Sequence, residues 1–133
     1  MATTTATLTI SSADLTSNPL AITTSSTLYK AGTTIGLEQT TGLSKKVYAA
    51  AQSNTALIDA GDYADNTHSR VYIRNSGSSS TAYFTIELGS SNITLGRLYG
   101  GDFLFIPYEG EQDIDISSST TNMELEFMVI NEG

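Results

Sequence analysis

Apolar and polar residues alternate along most of this chain with a period of two, the spacing of strands that bury one face. Ala6, Leu8 and Ile10 interleave with Thr5, Thr7 and Thr9 and predict a threonine-rich first strand; Leu20 and Ile22 predict a second after Pro19. Thr27 to Lys30 and Thr34 to Leu37 are expected to pair around the Ala31–Gly32 turn, and Thr55 to Asp59 to form a brief apolar strand. Lys45 to Ala51 holds helix-forming residues but is short and lacks an apolar stripe, which leaves a strand from Val47 to Ala50 or one irregular turn. Gly61 to Thr67 reads as a loop by composition.

From residue 69 the pattern sharpens. Val71 and Ile73 alternate with Arg70, Tyr72 and Arg74; a polar turn follows at 75–80; then Ala82, Phe84, Ile86 and Leu88 alternate with Thr81, Tyr83, Thr85 and Glu87. This stretch predicts a β-hairpin. Ser91 to Leu98 forms the next strand, and Gly100-Gly101 breaks the chain before Asp102 to Ile106, whose consecutive apolar residues predict a strand buried on both faces and ended by Pro107. Asp113 to Ser117 and Met123 to Ile130 supply the last two strands.

Roughly eight to ten short strands with turn signals every eight to twelve residues predict an all-β fold, an antiparallel β-sandwich of jelly-roll type. At 133 residues the chain is one domain, 1–133, with 1–12 as a candidate N-terminal pairing arm. Chain ends fray unless tied down, and Met1 and Gly133 are expected to be held by sheet pairing or by neighbouring subunits.

Composition narrows the function. There are 20 Thr and 17 Ser, one His, and no Cys or Trp, so no disulfide frame, thiolate metal site or thiol nucleophile is available. No apolar run approaches the length of a membrane span, and MATTTATLTI has neither the charged nor the apolar region of a secretory leader. The net charge of −8 is uneven: residues 98–133 hold eight acids and no base, whereas residues 1–97 balance six with six. Nucleic-acid backbones are bound by clustered Lys and Arg, so no nucleic acid and no membrane is expected as a partner. The acids at Asp113, Asp115, Glu124 and Glu126 alternate with apolar residues and read as solvated outer faces of strands.

Candidate chemistry is sparse. His68, in the polar DNTHSR segment, is the one base that titrates near neutrality, and no G-x-S-x-G elbow accompanies the serines, so no enzyme and no catalytic residue is expected. Asp59, Asp62, Asp65 and Asn66 offer oxygens that a hard cation such as calcium could use, but their spacing is not that of an EF-hand. A surface loop rich in turn-forming Asp and Asn is the commoner explanation, and neither a metal nor a cofactor is expected. Asn92-Ile93-Thr94 fits the N-glycosylation pattern, which has no use without a secretory route. Most of the seven Tyr and four Phe are expected at core edges or interfaces rather than as sugar platforms.

The C-terminal half carries Arg74-Asn75 before the polar turn, Gly100-Gly101-Asp102, Phe105-Ile106-Pro107, Ile114-Asp115-Ile116 and Leu125-Glu126-Phe127. In this order the pieces resemble small virion structural proteins of tailed bacteriophages, especially marine and cyanobacterial ones. The resemblance covers about the last 64 residues, Arg70 to the end. It implies a non-enzymatic capsid decoration or cement protein, made in the host cytoplasm and placed on the capsid surface of the virion. It would stabilise the head shell through contacts with the major capsid protein and with copies of itself, as a homotrimer. Absence of cysteine suits a reducing cytoplasm, and acidic faces keep free subunits soluble. A terminal Thr-rich strand can add to a neighbour's sheet by edge pairing, which makes Thr3, Thr5, Thr7, Leu8, Thr9 and Ile10 the interface candidates, together with Lys45 and Lys46. The alternative is a tail or fibre module that binds host surface glycans through tyrosines and polar loops. A free carbohydrate-binding module fits less well, because such modules are secreted.

Overall fold

The computed structural model describes residues 3–132, which form eleven β-strands and a single 3-10 turn. The expectation for Met1 and Gly133 lies outside the described residues. β1 (Thr5–Ser12) and β2 (Leu20–Thr27) pair antiparallel with each other and join no other sheet, and β3 (Gln39–Thr40) is a two-residue rung. The body consists of β4 (Ser44–Tyr48), β5 (Thr55–Ile58), β6 (Ser69–Asn75), β7 (Tyr83–Leu88), β8 (Ile93–Tyr99), β9 (Phe103–Tyr108), β10 (Ile114–Ser118) and β11 (Met123–Asn131).

These eight pair in a nested series: β4 with β11, β5 with β10, β6 with β9, β7 with β8, all antiparallel. The segment is one long hairpin, folded at the β7–β8 turn, whose successive pairs fall in opposite sheets. One sheet runs β4–β11–β6–β9, with β3 also on β11, and the other β5–β10–β7–β8. This is the winding of a jelly roll, so the sandwich read from the alternation is the observed fold. Between the sheets Val71, Ile73, Leu125 and Val129 face Phe84, Ile86, Ile114 and Ile116, each almost fully buried. Each such side chain contributes about 1.5–3 kcal/mol by leaving water, which is what holds the two layers together.

Four local expectations are corrected. β6 and β7 are not a hairpin: β6 pairs with β11 and β9, β7 with β10 and β8, and the polar stretch between them crosses from one sheet to the other. The alternating pattern is identical for either outcome, because each strand turns every second residue to the one core whichever sheet it joins. The true hairpin is β7–β8, turned by Gly89 and Asn92, whose positive φ values of 69° and 50° suit these two residue types. β9 is not buried on both faces. It is an edge strand with Leu104 and Ile106 turned inward and Phe103 and Phe105 exposed at 59% and 41%. Pro107 lies within it, tolerated because the edge needs no second ladder bond. Finally, the strand expected at Val47–Ala50 occupies Ser44–Tyr48.

Candidate assembly surface

The β1–β2 pair is an arm rather than a layer of the sandwich. Its register sets Leu8 against Thr24, Ile10 against Ile22 and Ser12 against Leu20, so Ala6, Leu8, Ile10, Leu20 and Ile22 share one face. The opposite face carries hydroxyls, including a Thr7–Ser25 hydrogen bond of 2.9 Å. Eight residues per strand, with β-favouring Thr and Ile prominent in both, make an arm about 27 Å long. Burial fades along it: Thr4 and Ala6 are half-buried, whereas Thr7 to Ser11 are all exposed, with Leu8 at 44% and Ile10 at 43%. At the tip, Ser12 Oγ accepts from the Leu15 amide at 3.0 Å, and Leu15 points into solvent.

The root is fixed. The Leu28 amide donates to Thr4 O at 2.9 Å, and Leu28 and Leu37 are buried as a small cluster apart from the main core. The segment between them pairs as expected around the Ala31–Gly32 turn, though as an isolated bridge rather than two strands: Tyr29 opposes Gly36, the Lys30 amide donates to Ile35 O at 2.8 Å and the Leu37 amide to Leu28 O at 3.1 Å. It is held to the body where the His68 ring Nδ1 meets Tyr29 O at 2.9 Å and the Ala31 amide donates to Glu132. Arg70 contacts the other ring nitrogen of His68, so Nε2 accepts and Nδ1 donates. His68 is thereby a clamp between arm root and body, with both ring nitrogens engaged.

Under the root lies an open cleft of about 690 Å³ between the arm and the outer face of the β4–β11–β6–β9 sheet. Its floor is Tyr72, Phe103, Phe105, Met128 and Ile130, with Leu43 at one side, and no charged side chain lines it. A polar row borders it: Tyr72 OH donates to Glu126 at 2.8 Å, and Arg74 lies 3.7 Å from the same carboxylate. An uncharged apolar floor with a charged rim is the anatomy of a protein interface.

The sequence-derived candidates divide over two places. Thr3 to Ile10 are on the arm, where one edge of β1 is already taken by β2 and the other is open. Lys45 and Lys46 are exposed on β4, at the far edge of the same sheet; Lys45 lies 3.7 Å from Glu124 and the Lys46 ammonium 6.0 Å above the Phe127 ring. The arm strands thus form one surface, and the two lysines are engaged within their own sheet. Sequence reasoning missed β2's contribution and the Phe103 and Phe105 floor. The run DFLFI was the available signal, since an apolar stretch next to a Pro fits an edge strand with a covered outer face as well as a central one.

The acidic loop binds its own backbone. Asp59 Oδ1 accepts from the Gly61 amide at 2.8 Å, and Asp113 Oδ1 accepts from the Ala60 amide at 2.8 Å. The loop packs through Tyr63 edge-on to Tyr108, 5.8 Å between rings. Burial, with Asp113, Tyr63, Asp59 and Asp62 around it, pushes the Tyr108 phenol up to about 12, so it stays a neutral donor to Gln112 O. Among the described residues no three acidic or histidine side chains are placed to share a metal ion.

One pair of acids departs from the solvated-face expectation. Asp115 and Glu87 are register partners on β10 and β7, and both are buried, Asp115 at 8% exposure. Ser117 donates to Glu87, while Asp115 Oδ1 has no hydrogen-bond partner. Burial first, then Asp113 and Glu87, raise the Asp115 carboxyl above its ordinary range. The folded state therefore holds that proton more tightly than the unfolded chain, so the favourable contribution is complete below the ordinary carboxyl range and is lost as pH rises through the raised value. Above the ordinary carboxyl range the burial of Asp115 beside Asp113 and Glu87 therefore costs stability, and Asp115→Asn is expected to gain about 0.5–1 kcal/mol at pH 7, with the gain shrinking in acid. Urea unfolding of both proteins at pH 7 and pH 4 measures this; a less stable variant at pH 7 would contradict it.

Two further features complete the surface. Tyr83 and Tyr99 meet across β7 and β8 with ring centroids 5.1 Å apart and planes tilted by 51°, and Arg97 lies 4.2 Å over the Tyr83 ring, on the sheet opposite the cleft. A concavity of about 520 Å³ lies at one end of the sandwich, between the β6–β7 and β10–β11 connections, with a mixed lining of Val47, Ala82 and Met123 beside Asn75, Thr121 and Asn122. No family model, no curated protein and no solved structure matches the chain.

Proposed function

We propose that this protein is a non-enzymatic structural subunit of a tailed-phage virion, a capsid decoration or cement protein that stabilises the head shell. The observation that carries the reading is the arm. A jelly-roll body projects a neutral strand pair that, among the described residues, joins no other sheet and leaves Leu8, Ile10 and Ile22 exposed. Such a pair is marginally stable without cover, so it suits a subunit whose ordered state is completed by assembly. The jelly roll itself recurs in viral capsid domains, and the C-terminal resemblance to small virion proteins points the same way. Partners of this reading are the major capsid protein and further copies of the chain, in a homotrimer; cofactors have no part in it.

Quantitative mass spectrometry of purified virions tests it by the number of copies relative to the major shell protein. Hundreds of copies per particle are expected. A few to a few tens would overturn the shell role in favour of the tail, and absence from the particle would overturn the virion reading altogether.

One observation favours the alternative, a tail or fibre module that binds host glycans. The Tyr83–Tyr99–Arg97 group offers ring faces with a donor beside them, as sugar rings require. On that reading Tyr99→Ala abolishes binding to host-surface glycans measured on an array, whereas a decoration protein shows no such binding to lose.

A further inference from the structure

The arm is tied to the body only at its root. Among the described residues the hydrogen bonds of residues 5–27 stay within the arm and its tip, whereas Tyr29 O meets His68 and the Ala31 amide meets Glu132 just beyond. Segments with so few tertiary ties lie at the low end of local stability and move most readily. The two faces of the arm are unlike. Directly opposite residues of an antiparallel pair share a face, so Ala6, Leu8, Ile10 and Ile22 stand on one, and Thr5, Thr7, Thr9, Thr23 and Ser25 on the other. The first face is turned to the body: Ala6 is half-buried on it and Leu28 buried at its root, while the five hydroxyl residues named are all exposed. Farther out that face loses its cover. Leu8 still lines the cleft, Ile10 and Ile22 lie outside its lining, and all three are more than two-fifths exposed, as are Phe103, Phe105 and Leu43 of the floor.

We propose that in the free subunit the arm is a strap: it pivots about the Thr4–Leu28 rung and closes on its own floor, laying Leu8, Ile10 and Ile22 against Phe103, Phe105 and Leu43 of the same chain. The arm is already seated above this floor with the matching face turned down, and water held between two apolar walls favours their meeting. Tethering makes the chain's own arm the occupant, since a tethered surface meets its target at an effective concentration on the order of millimolar, far above that of separate molecules at working dilution. Ile10 stands about 14 Å along the strand from Ala6, so a small tilt at the root carries it through a large step. Closure hides the apolar face that the assembly reading uses, and keeps it from wrong contacts until a shell surface displaces it. The inference rests on that reading for its use, yet it is decided on the isolated chain. A closed arm in a protein absent from virions would sink the virion role alone, and an open arm in a protein abundant in virions would sink the strap alone.

Amide hydrogen exchange of the full chain, compared with Phe103→Ser and Phe105→Ser, reads closure at rungs that the open arm holds clear of the floor. Both substitutions are at exposed sites outside the arm, so the ladder of β1 and β2 is left as it is. They are expected to speed exchange around Ile10 and Ile22 roughly tenfold, with the amides of Val71 and Ile73 in the core unchanged. A second measurement does not depend on these variants. The chain has no cysteine, so Ile10→Cys and Phe105→Cys can be combined in one chain and oxidised at high dilution. A disulfide needs the two Cα atoms within about 7 Å, and it is expected to form within the monomer faster than in a control that pairs Ile10→Cys with Val47→Cys, on β4 outside the cleft. Exchange at the outer rungs that ignores both floor variants, cross-linking no faster than the control, or protection that grows with protein concentration would overturn the proposal.

Discussion

Phe84→Ala is expected to destabilise the body by about 3–5 kcal/mol, a large part of the roughly 5–15 kcal/mol that a domain of this size possesses. Phe84 is the largest of the fully buried side chains and sits on β7 at the centre of the four-stranded sheet. Its ring packs edge-on to Tyr48 of β4, 6.1 Å between centroids, and so bridges the two sheets. Truncation removes the ring from both layers at once, and β-sheets held by ladders on either side cannot close the void by sliding. Chemical denaturation reads the effect as a lower midpoint with an unchanged slope. A loss below about 1 kcal/mol would mean that the sheets are held together elsewhere than at this core.

The alternation that placed Phe84 in the core also shows what a sequence of this kind reveals and conceals. Strand existence was legible because burying one face imposes a period of two, and the inward residues of β6, β7, β10 and β11 follow it without exception among Val71, Ile73, Phe84, Ile86, Ile114, Ile116, Leu125 and Val129. Partner choice was not, because a strand's inward parity is the same whichever sheet it joins; hence β6–β7 read as a hairpin although it crosses the sandwich. The arm was legible as a Thr-rich terminal strand, but not its pairing with β2, since Leu20 and Ile22 would alternate in the same way inside the sandwich. The cleft was hidden for a related reason. Phe103 and Phe105 look like core in a run of five apolar-rich residues, and only the order of strands in space makes them an outer face. Asp115 was misread because alternation gives the direction of a side chain, and not what its neighbours on the same face do to its solvent.

Asn75→Ala tests the crossing that the alternation concealed, and is expected to cost about 2–4 kcal/mol. Asn75 ends β6 at the point where the chain leaves one sheet for the other, and it is 2% exposed. Its side-chain amide donates to Leu98 O on β8 at 2.9 Å, across the sandwich, and its Oδ1 accepts from the Gly77 amide at 3.0 Å. Its own backbone amide donates to Asp102 O, and its carbonyl accepts from Gly101, both at 2.9 Å, so one residue fastens the β6–β7 crossing to the β8–β9 turn. Alanine keeps the two backbone bonds and strips the two side-chain ones, leaving a buried carbonyl and a half-buried amide without partners at about 1–3 kcal/mol each. Asn75→Asp separates the two losses, because it keeps the acceptor for Gly77 while turning the donor to Leu98 O into a second acceptor that repels it. If the cross-sheet bond is the stronger fastening, Asp is as damaging as Ala at neutral pH; if the Gly77 turn dominates, Asp restores most of the stability. Equal stability of Asn75→Ala and the parent protein in urea unfolding would show that the crossing is held by the backbone bonds alone.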